Sequence, residues 1–197
     1  MMVSPRPNVC AGSTLRRAVA RGFTLIELLV VLVLLAVMLT LATPSFLAFQ
    51  RNAELTSAAN SFMAALSVAR AEAMKRQLRA FVVPASGNNW ASGWRVFVDA
   101  DSNVTSGSVA AGAGDIIISE PVALPATIGI TASTFGDGTT AYAMFNGSGF
   151  MTLVDKSFQT GSIDLSNGSE SRRVIANPTG RMRVCKPAET GCGVADF

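Results

Sequence analysis

No histidine occurs among the 197 residues. The commonest general base and nitrogen metal ligand are therefore missing, and no serine or cysteine stands in a recognisable nucleophile motif. An enzyme is not expected, nor a cofactor or a metal centre. Acidic residues are absent before position 23, where Arg6, Arg16, Arg17 and Arg21 all lie. The net charge of +3 is thus a property of the first segment. Without residues 1–22 there remain 12 basic and 13 acidic side chains, a net of −1, which argues against a uniformly basic surface for nucleic acid or anionic lipid. Any such binding must come from a local cluster. Cysteine is scarce as well. Cys10 falls in the first segment, leaving Cys185 and Cys192 as one candidate disulfide. That bond would close a short loop, contribute about 2.5 kcal/mol, and favour an oxidising, extracytoplasmic setting.

What is abundant is apolar surface in one place. From Leu25 to Ala42 every residue is apolar except Glu27 and Thr40. Phe23 to Ala42 makes a helix of about 30 Å, the thickness of a bilayer's hydrocarbon core. The arginines before this run place the N-terminus in the cytoplasm by the positive-inside rule, with the bulk of the chain outside. Beyond it, Leu55, Ala59, Phe62, Leu66, Ala69 and Ala73 recur every three or four residues, predicting an amphipathic continuation of the helix to Arg79. Pro44 should kink or loosen the helix rather than end it. Glu72 and Arg76 form a correctly oriented i, i+4 pair.

After Arg79 the pattern becomes β. Short runs at 80–83, 94–98, 116–119, 128–131, 142–145, 150–153, 162–165, 172–176 and 181–185 are separated by Gly, Asn, Ser and Pro clusters. Residues 101–114, dominated by Gly, Ser and Ala, read as a long mobile loop. The expected organisation is a leader over 1–22, a transmembrane helix over 23–43, its amphipathic continuation over 44–79 and one β-rich head over 80–197. The fold class is α+β.

The run Arg21-Gly22-Phe23-Thr24-Leu25-Ile26-Glu27-Leu28-Leu29-Val30 resembles the type IV prepilin signal. The resemblance implies cleavage after Gly22 by a prepilin peptidase and methylation of the new N-terminal residue, Phe23. It also implies that Glu27 meets the N-terminal amine of a neighbouring subunit during assembly. A carboxylate in an apolar span is costly, about 2.5–3.5 kcal/mol at a helix centre, and marks a functional position by default. An ordinary secretory signal, with Thr40-Leu41-Ala42 imitating a cleavage site, leaves Glu27 unexplained. A twin-arginine signal is not supported by the residues after Arg16-Arg17.

Further on, the run from Phe62 to Ala73, Trp90, the run from Gly93 to Asp99, Phe145-Asn146-Gly147-Ser148-Gly149 and Gly180-Arg181-Met182-Arg183 resemble the FimT/GspH family of minor pseudopilins. That resemblance implies a pilin-like fold, a long N-terminal helix packed on a β-rich globular head. The implied partners are other pilins and the inner membrane, and the implied role is pilus assembly. The alternative is a minor pseudopilin of a type II secretion system.

The C-terminal segment carries the local cluster. Arg172, Arg173, Arg181, Arg183 and Lys186 place five positive charges within 15 residues. Asn177-Pro178-Thr179-Gly180 reads as a turn between two strands, and alternation puts Arg181 and Arg183 on one face, about 6.7 Å apart. In competent bacteria a Gly-Arg-x-Arg motif here is associated with DNA, and Gly180, Arg181 and Arg183 match it. The resemblance thus implies non-sequence-specific DNA binding for natural transformation, through phosphate contacts. The bland counterpart is a charged edge strand protected from pairing. Asp99-Ala100-Asp101-Ser102-Asn103 has acid spacing like a calcium loop but lacks its glycine and distal glutamate, so an exposed turn is expected. Trp90 and Trp94 are expected in the core rather than as base-stacking surfaces.

Overall fold

The apolar spacing along the second half of the first helix organises everything downstream of it. The computed structural model describes residues 22–193, with the side chains of 41–44 excepted. Of the expected leader only Gly22 is among the described residues; Arg6, Cys10, Arg16, Arg17 and Arg21 lie outside them. Helix α1 spans Leu25–Arg76, 52 residues. It does not end at Pro44; the kink expected there falls on residues 41–44. The chain divides after Pro44 into two units, taken separately below.

In the first unit, Thr24 caps the helix: its Oγ1 accepts the backbone N–H of Glu27 at 3.2 Å. Thr24-Leu25-Ile26-Glu27 thus follows the capping-box pattern, and Glu27 sits in the first turn, where the macrodipole favours an acid. Side chains from Leu25 to Leu39 are exposed. Among the described residues no single helix is long and apolar enough to cross a membrane. Leu25–Thr40 and Ser45–Arg76 taken together satisfy length and composition.

In the second unit, all six stripe residues from Leu55 to Ala73 are completely buried. The helix stops three residues sooner than the periodicity predicts. Gln77 takes φ +58°, and the Leu78 N–H reaches the Ala73 carbonyl at 3.3 Å, a Schellman-type end. Arg76 binds Glu72 at 2.6 Å and Lys75 binds it at 3.2 Å, and these contacts, led by Arg76, hold the Glu72 carboxyl below its usual range.

Among the described residues eight strands follow: β1 Arg79–Ser86, β2 Asn89–Asp99, β3 Ile116–Ser119, β4 Gly129–Ser133, β5 Ala143–Phe145, β6 Gly161–Ser166, β7 Ser171–Ala176 and β8 Met182–Cys185. They form two antiparallel sheets, ordered β3-β2-β1-β5 and β4-β6-β7-β8. One core cluster joins the helix stripe to Ala80, Val82, Val96 and Val98 of the first sheet and to Ile163, Leu165, Val174 and Ala176 of the second. Trp90 and Trp94 are buried edge-on to Phe62, as expected.

One expected strand is not formed. The run 150–153 is not a strand: Met151 and Thr152 make only isolated bridges, because the turn at Gly149 and another at Leu153–Lys156 leave too little ladder between them. Residues 101–114 form the expected loop, and part of it packs on the core. The first sheet is apolar on its other face too, where Phe81, Phe97, Tyr142 and Met144 form a second cluster. Val104, 3% exposed, and the half-buried Val109 and Ala111 cover that cluster. Leu153 and Val154 pack against the same cluster.

Candidate functional site at the C-terminal turn

Strands β7 and β8 pair in the register Arg173↔Cys185, Val174↔Val184, Ile175↔Arg183, Ala176↔Met182. Val174, Ala176, Met182 and Val184 belong to the core cluster, so alternation sends Arg173, Arg183 and Cys185 to the outer face. Between the strands, the Gly180 N–H donates to the Asn177 carbonyl at 2.9 Å, closing the turn read from the sequence. Asn177 Oδ1 also accepts the Arg181 N–H at 2.9 Å. Arg181 lies just before β8, at the turn's exit, and is exposed.

The turn is fastened from the helix by Arg70. Its guanidinium donates to the carbonyls of Gly149 at 3.0 Å, Gly180 at 2.9 Å and Thr179 at 3.0 Å. The Met151 N–H takes the Pro178 carbonyl at 2.9 Å. Three consecutive carbonyls of the turn are therefore occupied. Gly180 is required twice over: its φ is +76°, and a Cβ there would lie 2.5 Å from Arg70 Nε and 2.6 Å from the Gly149 oxygen. Three segments distant in sequence, the helix, the Asn146–Gly149 turn and the Gly180 turn, meet at this one side chain. Arg70 carried no role in the sequence reading. Its signal was position: it stands beside Leu66, Ala69 and Ala73, where a solvated arginine is out of place.

The other cations are distributed unevenly. Arg173 stands directly opposite Asp164 on β6 and binds it twice, Nε to Oδ1 and Nη2 to Oδ2, each 2.6 Å. The Asp164 hydrogen bonds push the Arg173 pKa up. Arg173 also donates to the Cys192 carbonyl at 3.3 Å. It is a fixed element of the sheet, its charge matched by Asp164. Arg172 and Lys186 both approach Glu170, at 3.4 and 3.7 Å, and share its charge. Arg183 is half-buried and donates to the Gly191 carbonyl. Cys185 and Cys192 are bonded, with Cα atoms 5.9 Å apart, so the loop Arg173 and Arg183 hold is covalently closed. What results is a preorganised turn with Arg181 exposed at its exit and Arg183 two residues on, cations spaced for an extended anion.

A long N-terminal helix with two antiparallel sheets, together with a methylation-type leader sequence, defines the class of minor pilins and pseudopilins. The model of the family described as "Type II transport protein GspH" matches residues 58–180, and that of the "Prokaryotic N-terminal methylation motif" matches 17–43. The chain belongs to the GspH family, whose members are structural, non-enzymatic proteins that assemble with other pilins. The matched region ends at Gly180, one residue before Arg181. Among solved structures the chain is similar to the type IV minor pilin FimU of Pseudomonas aeruginosa, at 20% identity and TM-score 0.51, over 72% of this chain and 95% of that one. It is also similar to the minor pseudopilin EpsH of the Type 2 Secretion System of Vibrio cholerae, at 16% identity and TM-score 0.46, over 69% and 99%. No curated protein matches.

Proposed function

We propose that this subunit belongs to a type IV pilus and holds DNA at its C-terminal turn during uptake. The observation that carries the reading is Arg181: exposed, at the exit of a turn whose backbone Arg70 clamps, with Arg183 two residues on. Such a site contacts phosphates without reading bases. Arg172 and Lys186 assist weakly because Glu170 shares both. Gly180 supplies the backbone shape rather than a contact. At the other end, a prepilin peptidase cuts after Gly22, Phe23 is methylated, and Glu27 meets a neighbouring subunit's amine in the filament. The N-terminus faces the cytoplasm, the helix anchors in the inner membrane, and the head lies outside it.

The family model's description favours a second reading, a subunit of a type II secretion pseudopilus. Gene deletion with complementation separates the two. Piliation, protein secretion and transformation are scored side by side. The Arg181→Ala/Arg183→Ala chain is expected to restore piliation while transformation stays at the deletion level. Loss of secretion alone on deletion, with transformation intact, overturns the pilus reading.

A further inference from the structure

Three carboxylates meet where β2 ends. Asp99 closes the strand, Asp101 follows, and Asp115 returns the chain to β3; one oxygen from each lies within 4.8 Å of the others. Arg79, the register partner of Asp99, donates to Asp99 Oδ2. One guanidinium against three acids leaves the group with excess negative charge, and like charges this close repel. The second observation is Asp99 Oδ1. The Asp99 side chain is 0% exposed, and this oxygen has no hydrogen-bond donor among the described residues. A buried carboxylate oxygen left without a donor is costly unless something positive meets it. Asp101 and Asp115 each place a carboxylate oxygen within 4.8 Å of an oxygen of this same side chain.

Those two carboxylates are held in place by the loop. Asp101 accepts from Asn103 N at 3.2 Å and Asn103 Nδ2 at 2.7 Å; Asp115 accepts from Ala100 N at 3.2 Å and Gly112 N at 2.7 Å. A carboxylate oxygen has two lone pairs, so these bonds leave capacity for a cation. We propose that Asp99, Asp101 and Asp115 form a divalent-cation site that takes calcium. The donors are all oxygen, which selects a hard cation over zinc or copper. The irregular loop geometry suits calcium, with its tolerance of 6–8 oxygen ligands, better than magnesium, which demands near-octahedral order. Bound there, the ion would tie the loop carrying Val104 to the end of β2 and so fasten the cover over the second core cluster. The site lies on residues that the DNA reading does not use.

The test is calorimetric titration of the detergent-solubilised full chain, stripped of metal with a chelator, using calcium chloride. One saturable site is expected, with Kd on the order of 10⁻⁴ to 10⁻³ M, together with a rise in melting temperature. Magnesium should bind at least about tenfold more weakly. Asp101→Asn should weaken calcium binding at least about tenfold while the metal-free protein melts no lower, because one repelling charge is gone. Asp101→Ser repeats the test if the asparagine disturbs the loop. Glu189→Gln, outside the cluster, should bind as wild type does. No saturable heat up to about 10 mM calcium, magnesium binding as tight as calcium, or Asp101 variants binding as wild type would each overturn the assignment.

Discussion

Phe62→Ala is expected to destabilise the Ser45–Phe197 unit by about 3–5 kcal/mol. The ring is completely buried, in the cluster that joins the helix to both sheets. Its centroid is 5.3 Å from that of Trp90, 5.0 Å from Trp94 and 5.6 Å from Phe135, the two tryptophan contacts being edge-to-face. Truncation removes the transfer free energy of the ring and leaves a cavity whose walls are three large, mutually braced aromatics. Walls of that kind collapse poorly, which puts the expected cost in the upper part of the range. Phe62→Leu keeps much of the volume and should cost about 1–2 kcal/mol. Urea unfolding of both variants, with unchanged m-value, checks the pair. Equal costs for leucine and alanine would mean that the aromatic contacts carry little.

The second large effect belongs to Arg70→Met, expected to cost about 2–4 kcal/mol. Methionine keeps an unbranched apolar stem but donates nothing, so the carbonyls of Gly149, Thr179 and Gly180 lose a charged partner together. Hydrogen bonds to a charged group are worth about 1.5–3 kcal/mol each. These three share one side chain and a half-exposed site, so they do not add. Lysine brings the charge without the planar fork and should recover less than half of the loss. Amide hydrogen exchange adds a local readout: the Gly180 N–H should exchange faster in Arg70→Met. Full recovery with lysine would show that charge, not the fork geometry, holds the turn.

Periodicity carried the sequence reading a long way wherever the signal was local. The helix stripe from Leu55 to Ala73, the strands on either side of Asn177–Gly180, and the turn itself depend on neighbours within a few residues, and all were legible. The pairing of Cys185 with Cys192 followed from counting thiols. The end of α1 was misjudged by three residues because Gln77, a non-glycine, adopts the left-handed conformation that ends the helix. The extent of β2 was underestimated because Asn89, Ser92 and Gly93 look like loop residues. Asn89 pairs with Ser86 of β1, and Ser92 and Gly93 fall in the irregular stretch between that pair and Pro84↔Trp94.

The site was legible in part. Arg181 and Gly180 stood out, but the distribution of charge around them depends on contacts across the sheet. Asp164 neutralises Arg173 because the β6–β7 hairpin puts them opposite each other. The Asn167-Gly168 turn signal, counted outward in both directions, would have found that pair. Arg70 acts over 79 and 110 residues of sequence separation; its place beside the buried stripe marks the residue but not its partners. The packing of the loop after β2 was not legible for a related reason. Its composition is polar, yet the second apolar face of the first sheet demands a cover, and the nearest chain supplies it.

The most direct measurement is the salt dependence of DNA binding by the detergent-solubilised full chain, wild type against Arg181→Ala and Arg181→Ala/Arg183→Ala. Fluorescence titrations at several salt concentrations give the slope of log affinity against log salt. If Arg181 and Arg183 each neutralise one phosphate, the slope should flatten by about 0.7–0.9 in the single variant and about 1.4–1.8 in the double, with affinity falling in step. Variants that bind DNA with the wild-type affinity and the wild-type slope would contradict the assignment of DNA to this turn.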